Sequence, residues 1–180
     1  MKRSPSAILA AVITPMRSAG AVLLACALLL AGCAWLAKAR VEEQRTTQGP
    51  TAQQMFNLRV LNENGREPTF EEKRRWDEQI EQQINAYLRE HPATANSLDV
   101  STFKFLRQSA VGMDKDQIQI LLGPPIAVSS DQAHLEQLAR RYWPLIQGHA
   151  SEVWIYPLGW NLFFSGPRLV DITQYFAPPK

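Results

Sequence analysis

Few side chains in this 180-residue sequence are placed to do chemistry. It has two thiols, Cys26 and Cys33, and both lie in an apolar N-terminal stretch. No cysteine follows Cys33, so the rest of the chain must hold together by packing rather than disulfides. Three imidazoles, His91, His134 and His149, are far apart and lack metal-ligand spacing. Glu90 and His91 are adjacent, but they precede Pro92 at a helix end, and adjacency alone does not make a catalytic dyad. There is no nucleophile elbow, phosphate-binding glycine loop or Cys-His pairing. The expectation is a protein with no catalytic residues, no metal and no identifiable small-molecule substrate.

Charge narrows the field further. Residues 1–32 carry Lys2, Arg3 and Arg17 and no acid. Removing those three from the 19 basic residues leaves 16, against 17 acidic ones, from Cys33 onward. The basicity of the whole chain thus belongs to its N-terminal segment. Nothing downstream forms the basic patch that phosphate contacts need, so no nucleic-acid partner is expected.

The N-terminal segment has the layout of an export signal. Arg17 precedes the apolar run "AVLLACALLL", Ala21–Leu30, and small residues follow. Such a run is short for a bilayer span, which takes about 20 residues. The next residues, Leu30-Ala31-Gly32-Cys33, resemble the bacterial lipobox. That resemblance implies cleavage between Gly32 and Cys33 and a diacylglycerol thioether on Cys33. The chemistry suits the residues: small side chains admit a peptidase, and only a thiol forms a thioether. Several acyl chains anchor stably, at about 0.8 kcal/mol per buried CH₂. This covalent lipid is the only cofactor-like group expected. Ala34 follows the cysteine, and by resemblance to enteric sorting this implies the periplasmic face of the outer membrane. Met16 would start a signal of more usual length than Met1. The alternative is an uncleaved inner-membrane anchor, since residues 18–37 carry no charge and are just long enough to span.

Residues 33–67 are expected to form a flexible tether, because "EEQRTTQGPTAQQ" is polar and lacks periodicity. Met55–Leu61 interrupts it as a short helix, a strand or a docking segment. An N-terminal helical extension, 68–97, follows. Thr69 is placed as N-cap with Glu72 completing a capping box. Trp76, Ile80, Ile84 and Leu88 make one apolar stripe with Tyr87 beside it, and His91-Pro92 stops the helix. A second short helix is expected over Val100–Gln108, with Phe103, Phe105 and Leu106. Then comes "VGMDKDQIQILLGPP", Val111–Pro125. Asp114 caps it, Gln117 sits at N3, Ile118, Leu121 and Leu122 share a face, and Gly123-Pro124 ends it.

Asp131–Tyr142 reads as a helix inside a segment, 129–150, that interrupts the domain. Three strand-like runs follow, Glu152–Tyr156, Trp160–Phe164 and Leu169–Tyr175, joined by "PLG" and "SGP". The expected fold is α+β, with helices on one face of a three-stranded antiparallel meander. Alternation puts Trp160, Leu162 and Phe164 on one sheet face and Asn161 and Phe163 on the other. Either the extra helix and the tail cover the second face, or an aromatic patch (Trp154, Tyr156, Trp160 and Phe163) stays open for a protein partner.

Gly112-Met113, Gln117-Ile118, Leu122-Gly123 and Pro124 resemble the "GM…QV…LG.P" signature of the BamE-like (SmpA/OmlA) outer-membrane lipoproteins. Trp154 and Tyr156 match that family's "W.Y" element. Leu162, Phe164, Gly166 and Leu169 match its "L.V.F..G.L" element. The resemblance covers about residues 98–175, within a domain set at 98–180. It implies two helices before a three-stranded sheet and an accessory role in outer-membrane β-barrel assembly. Related folds also occur in β-lactamase inhibitors, so fold alone does not fix function. The expected function is a lipid-anchored accessory protein that binds an envelope assembly complex. The alternatives are a free-standing envelope lipoprotein acting as a ligand-binding or inhibitory module, and the single-pass inner-membrane protein.

Overall fold

The computed structural model describes residues 43–97 and 100–176. Gly32, Cys33 and the signal-like segment lie outside the described residues, so the expected cleavage and lipid site have no structural account. Among the described residues there are six α-helices and two antiparallel sheets, which makes the fold α+β. None of those helices is long and apolar enough to cross a membrane.

The first correction concerns the expected tether. Its described part is built into the fold. Strand β1, Glu43–Thr46, forms one edge of the large sheet, and β2, Gln48–Thr51, pairs with β3, Gln108–Ala110. Helix α1, Ala52–Asn64, follows directly. Thr51 caps it: its hydroxyl accepts from the Gln54 amide at 3.2 Å, and the Gln54 side chain accepts from the Thr51 amide at 3.0 Å. Polar composition misleads here because β1 is an edge strand whose middle residues face solvent, and composition alone does not mark an exposed edge as a strand. An ion pair between an exposed arginine and a buried carboxylate also holds it. Arg45 clasps Asp171 at 2.7–3.0 Å.

Helix α2, Phe70–Glu90, starts at the expected box, with Thr69 and Glu72 satisfying each other. Arg66 adds two hydrogen bonds at 2.8 Å and, with the Thr69 amide, holds the Glu72 carboxyl down at about 2. The buried face carries Ile80, Ile84 and Tyr87. A short helix α3, Pro92–Ala95, then leads to a turn of π-helix at Thr102–Leu106. The helix expected over Val100–Gln108 is present over residues 100–106, but it widens into a π turn from Thr102 and ends two residues early, leaving through Arg107, at φ 47°, into β3.

Helix α4, Lys115–Leu122, is capped by Asp114 and stopped at Gly123. The chain runs through β4, Ala127–Ser129, to α5, Gln132–Ala139, and α6, Trp143–Ile146. Strands β5, Glu152–Tyr156, β6, Trp160–Ser165, and β7, Arg168–Tyr175, complete the sheet. Its order is β1-β7-β6-β5-β4, so it has five strands rather than the three expected. Gly159, between β5 and β6, has φ 72°, and a Cβ there would meet the Tyr175 carbonyl at 1.8 Å, so only glycine fits.

Helices pack on both sheet faces, not one. On the first, α1, α2, α4 and Phe103 cover Trp154, Tyr156, Leu162, Phe164, Leu169 and Ile172. On the second, Leu135, Ala139, Trp143 and Ile146 cover Val153 and Phe163. A bulge lets β7 serve both faces. Phe163 pairs with Asp171 and Phe164 with Leu169, leaving Val170 as the extra residue. The slip puts both Leu169 and Ile172 on the first face and gives Asp171 to Arg45. The segments read as tether, extension and domain therefore share one pair of cores.

Candidate functional site

The residues of the resembling motif hold the fold together. Met113, Gln117, Ile118, Leu121 and Leu122 are buried. Asp114 accepts from the Gln117 amide at 2.9 Å through one oxygen and from the Tyr87 hydroxyl through the other. Burial, with that bond to Asp114, pushes the Tyr87 phenol up to about 12. Gly112 and Gly123 both have positive φ, as the turns before and after α4 require. The Gly123 carbonyl accepts from the Tyr156 hydroxyl at 2.9 Å, and Pro124 turns the chain away. Lys115 bridges to Glu152 at 2.8 Å and lies over the rings of Trp154 and Phe164. Burial works against the Glu152 charge, but the Lys115 and Trp154 hydrogen bonds outweigh it and lower its pKa. The Tyr87–Asp114, Tyr156–Gly123 and Lys115–Glu152 contacts tie α4 and its caps to α2 and β5.

The aromatic patch expected on the sheet is not open. Trp154 is 8% exposed, Tyr156 2% and Phe163 0%. Trp160 is half-buried against the first core. The physical reason is the double cover: α5 and α6 close over Phe163, and the first-face helices close over Trp154 and Tyr156.

Open aromatic surface occurs elsewhere. A groove of about 530 Å³ runs between the start of α1, the first half of α2 and the π turn. Phe56 of α1 and Trp76 of α2 stack as its floor, with centroids 4.7 Å apart and rings 13° from parallel. Phe70 forms one wall and is 77% exposed. Phe105 and Leu106 form the other, at 73% and 59%. The π turn produces this wall. Of the three apolar residues it carries, only Phe103 reaches the core. Charged residues line the rim: Lys73, Arg74, Asp77 and Arg107. Arg107 pairs with Asp77, and Arg74 with Glu71 at 2.7 Å, while Lys73 has no ion pair among the described residues.

The sequence does not announce the groove, because Phe103 and Leu106 are spaced as one face of a regular helix, whereas the π turn buries Phe103 and leaves Leu106 open. One signal is Phe105, which lies off the face shared by Phe103 and Leu106 and so has no place in the core. Phe70 also stands at the first helical position, well before the stripe begins at Trp76. Among the described residues, no group of three or more His, Cys, Asp or Glu side chains is placed to hold a metal. No family model matches the chain, and no curated protein or solved structure matches it significantly.

Proposed function

We propose that this protein is a lipid-anchored, non-enzymatic component of the bacterial envelope that binds a protein partner at the periplasmic face of the outer membrane. The observation that carries the binding half is the groove, where Phe70, Phe105 and Leu106 stand open around the Phe56–Trp76 stack. Surface apolar residues usually occur singly; a contiguous set around a cleft marks an interaction site. The anchoring half rests on Leu30-Ala31-Gly32-Cys33 and its place after a short apolar run. The BamE-like resemblance of the α4 motif makes β-barrel assembly the process proposed for the partner.

Nine residues, Ala34–Glu42, separate Cys33 from β1. Fully extended, they reach roughly 30 Å. A lipid on Cys33 would therefore hold the folded part close to the headgroups and restrict it to partners in or beside the same membrane.

The test is extraction of the tagged protein from its native membranes in mild detergent, with mass spectrometry of what co-purifies. The proposal expects stoichiometric recovery of an outer-membrane assembly protein and a diacylglyceryl mass on Cys33. Recovery of the lipoprotein alone, in detergent that preserves known complexes, would refute the stable-subunit reading. Unchanged processing and fractionation of Cys33→Ser would refute the lipid anchor.

A further inference from the structure

We propose that the groove takes an amphipathic segment of the partner whose apolar side chains are flanked by carboxylates. This rests on the protein-partner reading above and specifies its chemistry. The floor is a parallel aromatic stack and the walls are Phe70, Phe105 and Leu106, so the occupant must present apolar side chains. The floor is recessed between walls. That suits the ridge of a helix, read through anchors at i, i+3, i+4 and i+7, better than a flat bilayer.

Charge sets the flanks. Three of the four charged residues lining the groove are cations. Arg107 and Arg74 are already held by acids on α2, but Lys73 is not. Lys104 lies just outside, with its amine 5.6 Å from the centre of the Phe105 ring. An incoming Asp or Glu meets an unpaired ammonium at Lys73, whereas an incoming Lys or Arg meets repulsion. Complementarity of this kind sets partner choice and encounter rate.

The second wall is fixed before anything binds. Arg107 sits at φ 47°, a left-handed conformation that a non-glycine residue adopts only when its surroundings hold it there. Two contacts hold it there: its carbonyl accepts from the Ala52 amide at 2.8 Å, and its guanidinium pairs with Asp77. The π turn before it is a rare arrangement that occurs frequently at functional sites. A wall ordered in advance removes part of the entropy cost of docking.

The test places p-benzoylphenylalanine at Phe105 in the full-length protein in its native cells. After irradiation, the adduct is mapped to peptide level. A second sample carries Lys73→Glu and a third Lys73→Arg. A control places the photoprobe at Leu145, which is exposed on α6 over the second sheet face. An alkyne fatty acid in the same cells reports lipid on the chain. The expected result is an adduct on one protein segment with apolar residues within a turn of Asp or Glu. Its yield should fall about fivefold in Lys73→Glu, the size of reversing one exposed charge. Lys73→Arg should keep the yield, and Leu145 should not give the same adduct. An adduct on lipid, on a second copy of this chain or on a segment without acids would overturn the proposal. So would an adduct unchanged by Lys73→Glu in protein that melts like wild type, or no adduct at all. The lipid label separates the two claims. Label without adduct leaves the anchor standing and removes the groove; the acidic adduct without label does the reverse.

Discussion

Asp114 joins two elements through one carboxylate, capping α4 with one oxygen and accepting from Tyr87 of α2 with the other. Asp114→Ala should cost about 1–2 kcal/mol, the range for losing an N-cap, and more if the Tyr87 hydroxyl is left without a partner. A urea midpoint measures it. Tyr87 supplies its own readout. Its phenol is raised from 10.0 to about 12, so the stabilisation is complete below pH 10 and is lost as pH rises through 12. Ultraviolet phenolate titration should show a step near pH 12 that Tyr87→Phe deletes. Glu72 has the opposite sign. Its carboxyl is depressed from 4.5 to about 2 by Arg66 and Thr69, so its contribution is present above pH 4.5 and fades as pH falls through 2. Melting temperature should drop less steeply over that window in Glu72→Gln than in wild type. These caps were legible in the sequence because capping is local: Thr69 with Glu72 and Asp114 with Gln117 are three residues apart, and each box forms as spelled.

Elements whose identity depends on distant chain were harder to read. Strand β1 consists of Glu43, Gln44, Arg45 and Thr46 and carries no apolar residue to announce it. It exists because β7 offers an edge and because Asp171, 5% exposed, needs a cation. Arg45→Ala should therefore destabilise by about 1–2 kcal/mol, since it strands a buried carboxylate whose partner is itself partly solvated. Thermal unfolding checks the loss. Double substitution of Arg45 and Asp171 by Ala and Asn should recover part of it. The bulge at Val170 was likewise invisible, because strict alternation would have put Leu169 and Ile172 on opposite faces. The inserted segment resolves the choice between covered and open sheet in favour of cover. Leu135, fully buried against Phe163 and its neighbours, makes this testable. Leu135→Ala should cost about 2–5 kcal/mol, where a helix projecting from the domain would lose almost nothing.

At the scale of the molecule, two cores share one sheet, and both sheet faces are spent on folding. The groove lies between the start of α1, the first half of α2 and the π turn, away from the buried aromatic residues of the strands. Leucine and isoleucine spacing could locate the cores because burial follows periodicity. It could not locate the groove, which arises where the π turn breaks periodicity and turns Phe105 and Leu106 outward. The central claim is that this groove holds the partner. The most direct measurement is quantitative co-purification from native membranes of wild type, a Phe70→Ser/Phe105→Ser double variant and a Leu145→Ser control. All three positions are exposed, so melting temperatures should agree to within the small effects of surface changes. The account predicts that the partner is lost from the double variant and kept by the Leu145→Ser control. Full recovery of the partner by a folded double variant would contradict it.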